Sequence, residues 1–231
     1  MEKFKWAGRV YAPLLENHDE QRIPSPEFAG LAEKAIPAMM LSATMNTGPI
    51  MTYFGQEIGE DAAGSTGFSG DDGRTTIFDY WKVESIQRWR GKSAYSGKGL
   101  TTREKNLRKE YQKILKLSIS HPAISKGQFY DLMWANKDNH RFHHNHVFAY
   151  FRNHMDKSLI FVLNFSDKHL DQSVIIPGHA LAFAQKDITK LKDKVFKNYF
   201  SKEKIRIPYY SLVNDGLSLH IKAYNYQVFE F

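Results

Sequence analysis

Hydrophobic and polar positions follow two different rhythms along the chain, and the change falls near residue 122. Val10 to Leu15 is a short apolar run containing Pro13, and it ends in the polar cluster Glu16-Asn17-His18-Asp19-Glu20. The pattern predicts a buried strand whose C-terminal end opens into a polar loop. Ser25-Pro26 has the form of a helix start, with serine as cap and proline at the first helical position. Phe28, Leu31, Ala32, Ala35, Ile36, Met39, Met40 and Ala43 follow at helical spacing and predict one apolar face, with a kink at Pro37. Gly48-Pro49 stops that helix, and Ile50 to Phe54 predicts a second strand closed by Gly55. Strand, helix, strand in this order suits a parallel sheet with a helical crossover.

Residues 59 to 75 are rich in glycine, serine and aspartate, and a loop this long inside a compact domain is usually functional or mobile. Thr101 and Glu104 have capping-box spacing. Leu107, Tyr111, Ile114, Leu115 and Ser118 continue from them as an amphipathic helix that His121-Pro122 ends. Beyond this point short β-branched or aromatic runs alternate with turn residues: Phe129–Trp134, Val147–Arg152, Leu159–Asn164 and Ser173–Ile176. After the turn Asn214-Asp215-Gly216, Leu217, Leu219 and Ile221 alternate, as do Tyr224, Tyr226 and Val228. The reading is an α/β region over 1–122 followed by an antiparallel β-sandwich over 123–231.

Composition narrows this picture little. The 231 residues contain no cysteine, which removes disulfides and thiolate metal sites. No apolar run approaches the ~20 residues of a membrane helix, and the first residues lack the layout of a signal peptide. The chain therefore reads as soluble, with no membrane partner and its compartment open. Its net charge of +7 raises the question of an anionic partner. The densest lysine stretch, Lys186 to Arg206, is interleaved with Asp187, Asp193, Glu203 and apolar residues, as on a solvated face. No nucleic-acid module accompanies the charge, and no nucleic-acid partner is expected.

The cluster from Glu16 to Arg22 holds the most chemistry. It sits where a parallel α/β sheet places ligand groups, at the C-terminal end of a strand. A carboxylate beside an imidazole can stabilise developing positive charge and accept hydrogen bonds from sugar hydroxyls. A polar capping loop with ordinary surface charges accounts for the same residues. The tract His140, His143, His144 and His146 reads as an exposed loop between strands, with only Asp138 nearby to complete a metal site. Tyr224, Tyr226, Phe229 and Phe231 could stack on sugars, but their alternation in a terminal strand favours core packing for one face.

Three segments together resemble a known family. Leu14-Leu15-Glu16-Asn17-His18-Asp19 is similar to the last conserved segment of glycoside hydrolase family 13, the α-amylase family, at the end of its seventh barrel strand. Gly48 to Gly59 resembles that family's eighth strand with its Gly-Gln-Glu exit, here Gly55-Gln56-Glu57. Asp71-Asp72-Gly73-Arg74-Thr75 with Trp81 is similar to the loop that follows. The order and spacing fit, and the helix near 103–120 and the β domain extend the likeness over essentially the whole chain. Leu14, where the family often has phenylalanine, is a conservative departure.

The resemblance implies a partial (β/α)8 barrel, its seventh and eighth strand–helix units, followed by a C-terminal β-sandwich. It implies retaining hydrolysis or transfer at α-glucosidic bonds, on an α-glucan oligosaccharide or polysaccharide. Asp19 would be the carboxylate that stabilises the oxocarbenium-like transition state. His18 and Asn17 would bind the sugar, and Arg74 would line the cleft or hold its rim. Retaining chemistry also needs a nucleophile and an acid/base carboxylate, which the family carries on its fourth and fifth strands. With 16 residues before Asn17, this chain is expected to lack both, along with the N-terminal barrel portion and the region that supplies the family's calcium ligands. No cofactor is expected in this chain, and the calcium dependence of a parent enzyme is left open. Taken alone, such a fragment is expected to be inactive and to leave sheet edges and an apolar helix face uncovered. A non-catalytic α-glucan-binding module is the alternative, and it needs an exposed aromatic platform on the β domain that the sequence does not make evident.

Overall fold

The computed structural model describes residues 14–63, 72–75, 83–92, 94–185 and 192–231. The 10–13 portion of the first expected strand, residues 64–71 of the expected loop, Trp81, and 186–191 of the lysine stretch lie outside them. The described residues form two compact units, one drawn from 14–43 and 48–116, the other from Thr44–Thr47 and Leu117–Phe231.

In the first unit, helix α1 spans Ile36–Thr44 and follows a single 3₁₀ turn, Ala32–Ala35. The helix expected to begin at Pro26 starts ten residues later, at Ile36. Ser25 instead closes a turn, its carbonyl accepting from the amides of Phe28 (3.0 Å) and Gly30 (2.9 Å) and its hydroxyl from the amide of Glu27 (3.1 Å). Gly30 adopts φ +74°, which turns the chain off the right-handed path. Phe28 is consequently 65% exposed instead of lying on a buried face. Pro37 is the second residue of α1, where no intrahelical N–H is required, so it opens the helix and does not kink it. Ala32, Ala35, Met39, Met40 and Ala43 are buried as the periodicity predicts. Ile50 to Phe54 joins no strand pairing among the described residues, in contrast to the strand expected there.

Helix α2 spans Glu84–Arg90, and helix α3 spans Thr102–Ser120. The capping box of α3 is formed as its spacing predicts. The Glu104 amide donates to Thr101 Oγ1 (3.2 Å), and the Thr101 amide donates to Glu104 Oε2 (2.6 Å). Arg88 of α2 adds two bonds to the same carboxylate, at 3.0 and 2.6 Å to Oε1, and together these hydrogen bonds hold the Glu104 carboxyl below its usual range against the cost of its burial. Thr101→Ala is expected to cost about 1 kcal/mol, read as a lowered midpoint in thermal denaturation.

The second unit begins as α3 ends. His121 Nδ1 accepts from the Ala123 amide (3.2 Å) and caps α4, Pro122–Ser125, with proline in its first turn. The same dipeptide thus closes one helix and opens the next. The strands that follow are β1 (Gln128–Asp131), β2 (Val147–His154), β3 (Lys157–Asn164), β4 (Leu170–Val174), β5 (Lys194–Asn198), β6 (Lys204–Ile207), β7 (Leu217–Ile221) and β8 (Asn225–Glu230). Six pair in the order β1-β2-β3-β8-β5-β6, and β4 pairs with β7, with every pairing antiparallel. Short helices α5 (Met133–Asn136), α6 (Gly178–Phe183) and α7 (Tyr209–Asn214) connect them. Ala149, Phe151, Ile160, Val162, Phe196 and Phe229 of the larger sheet share one buried core with Leu170, Val174, Leu217, Leu219 and Ile221 of the smaller.

The strands differ from the expected runs in three places. β1 stops at Asp131, and Trp134 lies on α5. Tyr224 stands at φ +47°, in the turn before β8 and not in the strand. β5 and β6 arise inside the lysine stretch that reads as a solvated face. Val195 pairs with Arg206 and Phe196 with Ile205 across the two strands, and Phe196 is fully buried.

Candidate functional site

The loop that follows Leu15 is shaped by two side chains. Asn17 Oδ1 accepts from the amides of Asp19 and Glu20, both at 2.9 Å, a turn that Asn makes readily because its side chain mimics a backbone carbonyl. Asp19 and His18 are thereby presented at the tip, with side chains 72% and 49% exposed and His18 Nε2 3.3 Å from Asp19 Oδ1.

Beneath the tip sits a buried ion pair. Arg22 and Glu16 are 0% and 1% exposed, with Nη2 3.0 Å from Oε2. Glu16 Oε1 accepts from the Ile23 amide (2.7 Å), so the two ends of the loop are clasped together. Burial pushes the Glu16 carboxyl up, against the pull of Arg22 and the Ile23 amide. Arg22 Nη2 also donates to the Phe54 carbonyl (2.9 Å), and the Arg22 amide donates to the Gly73 carbonyl (2.7 Å). One arginine therefore ties together the three segments singled out in the sequence. Its Nε and Nη1 have no hydrogen-bond partner. The guanidinium lies over the rings of Tyr53 (4.8 Å) and Phe54 (5.6 Å), whose negative faces offset part of that deficit.

Gly73 is required at its place. Its φ is +79°, and a Cβ there would lie 2.5 Å from Ser25 Oγ. The turn it makes sets Arg74 beside the Asn-His-Asp loop. Arg74 Nε and Nη2 both donate to Asp72 Oδ2, at 2.9 and 2.6 Å, and the Asp72 carboxylate together with the fields of Asp19 and Glu20 strengthens the hold of Arg74 on its proton. Gln21 Nε2 donates to the Asp72 carbonyl (3.3 Å). Asn17, His18, Asp19 and Arg74 are thus gathered by short links. Asp71 and Trp81 lie outside the described residues.

Sequence reasoning overlooked Tyr53 and the separate roles of Glu16 and Arg22. The Tyr53 hydroxyl is buried without a partner, and burial raises its pKa within the fields of Arg22, Glu16 and Asp19. Below it, Gln56 Oε1 accepts from the Tyr53 amide (3.1 Å), and Gln56 Nε2 donates to the Tyr111 hydroxyl (3.2 Å), fixing the Gly-Gln-Glu turn to α3. Gln56 is 3% exposed, and its burial, which the sequence does not show, is what marks it out. Glu60 is buried and engaged, accepting from the Ala62 amide and the Ser85 hydroxyl. Of these carboxylates Asp19 is turned outward, while Glu16 and Glu60 are held by the protein. Such a carboxylate, flanked by an imidazole, can accept sugar hydroxyls and stabilise positive charge.

The histidine tract lines an open hollow of about 370 Å³ with Lys137, Asp138 and Phe142 in the second unit. Among the described residues no group of three or more His, Asp or Glu converges as metal ligands. No described helix is long and apolar enough to cross a membrane.

No family model and no curated protein matches the sequence. Solved structures do match. AmyP in complex with maltose superposes with a TM-score of 0.60 at 16% identity, over 94% of this chain and 40% of that one. The α-amylase from Geobacillus thermoleovorans complexed with acarbose gives 0.58 at 17%, over 94% and 38%. The chain carries part of the α-amylase-type fold. Isomaltulose synthase from Erwinia rhapontici NX5, an E295Q mutant in complex with sucrose, gives 0.52 at 17% over 99% and 44%. At these identities the likeness is one of fold, and the chain spans about 40% of the length of the first structures it matches. The three sequence motifs resemble segments of enzymes with the same fold.

Proposed function

We propose that this chain is the C-terminal part of an α-amylase-type retaining glycoside hydrolase acting on α-glucans such as starch or maltodextrin. Residues 1–122 then belong to the barrel, as its seventh and eighth strand–helix units, and 123–231 to the C-terminal β domain. The observation that carries the reading is the exposed His18-Asp19 pair, held at the tip of a loop clasped from beneath by Glu16 and Arg22. In this reading Asp19 stabilises the oxocarbenium-like transition state and binds sugar hydroxyls. His18 donates to the same sugar. Asn17 Oδ1 is committed to loop amides, so its sugar contact runs through Nδ2. Arg74, braced by Asp72, borders the cleft.

Leu14, Phe28, Leu31 and Met51 of the first unit are exposed, from 38% to 65%. Such exposure supports the reading that further barrel elements cover this unit in the parent enzyme. The nucleophile and acid/base belong to that missing portion. The 231-residue chain alone is accordingly expected to release no reducing ends from maltoheptaose, since one carboxylate cannot run a double displacement. Turnover that disappears in Asp19→Asn would contradict this division of labour. The alternative, a non-catalytic α-glucan-binding module, draws on one observation, the exposed Trp134.

A further inference from the structure

The second unit carries a row of aromatic rings that no role described so far uses. Trp134 of α5 is 49% exposed and stacks on His179 of α6, with centroids 4.8 Å apart and planes at 28°. His179 lies 6.3 Å from Tyr130 of β1, which in turn packs on Phe183 at 4.8 Å. Tyr130 belongs to the edge strand of the six-stranded sheet and rests on the buried core. The row is therefore anchored at one end in the core and open at the other. Support from His179 restricts the indole before any ligand arrives, which lowers the entropy cost of using it.

We propose that Trp134 and His179 form a second α-glucan-binding platform, separate in sequence and in unit from the Asp19 loop. The proposal rests on the α-glucan reading above. A glucopyranose ring presents a face of C–H groups and a rim of hydroxyls. The C–H face, slightly positive, suits the negative face of an indole. The hydroxyl rim needs polar partners beside the ring. Asp131, exposed and three residues before Trp134, accepts from the Met133 amide at 2.7 Å in the turn that leads into α5. Lys137 and Asp138, 3.7 Å apart and largely exposed, follow on the same short segment. A protein-docking core is depleted in Lys and Asp, so an aromatic ring set among such residues fits a sugar better than a protein surface. Tyr199 and Phe200, each 37% exposed on the same unit, also meet, but edge-on with planes at 81°, whereas Trp134 and His179 lie close to parallel.

Native affinity gels containing amylopectin test the proposal on the full 231-residue chain. Retardation of the wild type is expected to fall about tenfold in Trp134→Ala. Trp134→Tyr, which keeps a stacking ring, should retain most of it, and Ile119→Ala, at an exposed apolar side chain outside the row, should change it less than about twofold. Loss of retardation in Asp19→Asn with none in Trp134→Ala overturns the platform and leaves the proposed function standing. An unretarded wild type overturns the platform as well. Equal retardation by hydroxyethyl cellulose contradicts the α-glucan assignment. Sedimentation velocity without glucan provides a further arm: a wild-type dimer that Trp134→Ala dissociates would show that a second copy occupies the platform instead.

Discussion

Arg152→Met is expected to destabilise the β-rich unit by about 4 kcal/mol, read as a lower urea midpoint with an unchanged slope. Arg152 is 2% exposed and has no carboxylate partner among its described contacts. Its Nε donates to the Ala123 carbonyl (3.2 Å), Nη1 to Met45 (2.9 Å), and Nη2 to Ile124 (2.7 Å) and Gly127 (2.8 Å). Those carbonyls stand at the end of α1 and along α4, where helices leave their last acceptors unpaired. Methionine has similar volume and fills the space, so the loss is one of hydrogen bonds and not of packing. Two buried and two partly buried carbonyls would be orphaned together. Arg152→Lys should recover only a small part, because one ammonium cannot reproduce the fork that meets acceptors on three sides. A variant as stable as the wild type would mean that water or a backbone shift satisfies those carbonyls.

Arg22→Met in the first unit is expected to cost about 3–5 kcal/mol at neutral pH, the range for breaking a buried pair and leaving one charge behind. The sign of its pH dependence follows from Glu16. Burial already raises that carboxyl, and Arg22 is the largest influence opposing the rise. Without Arg22 the folded-state pKa climbs further above the unfolded value. A raised carboxyl contributes stability that is fully present below the unfolded pKa and is lost as pH rises through the folded one. The variant should therefore lie nearer the wild type at about pH 4 than at pH 7. The Asn-His-Asp loop should loosen with it, since the clasp at Glu16 and Ile23 closes that loop. A loss independent of pH would show that Glu16 stays protonated in the wild type.

Much of this was legible in the sequence where local chemistry decides the outcome. The capping box at Thr101 and Glu104 formed because both partners lie within one turn. The apolar faces of α1 and α3 followed from spacing in the same way. The start of α1 was misread because Ser25-Pro26 is a cap signal, while Gly30 outweighs it through its positive φ. β5 and β6 were missed because basic residues dominate their composition, although Ile205 and Ile207 alternate with Lys204 and Arg206 as in a half-buried strand. Ile50 to Phe54 reads as a strand, yet a parallel strand needs neighbours to pair with, and none is described beside it.

The site divides along similar lines. Asn17, His18, Asp19 and Arg74 could be named from motifs, and their gathering by the Arg22 and Gln21 links agrees with that grouping. The clasp could not be named. Glu16 and Arg22 read as two more charges in a polar loop, and only burial separates them from Asp19 and Glu20. Tyr53 was hidden for the same reason, since its place beside Asp19 depends on Arg22 joining segments more than thirty residues apart.

In the proposed reading, this chain supplies one carboxylate of a retaining site whose other two lie upstream. Reading the genomic DNA immediately before the Met1 codon tests it most directly. An uninterrupted in-frame extension on the order of 200 codons or more, encoding an aspartate and then a glutamate at strand ends, is the predicted result. A stop codon just upstream, with no such frame, would contradict the claim and leave a glucan-binding remnant in its place.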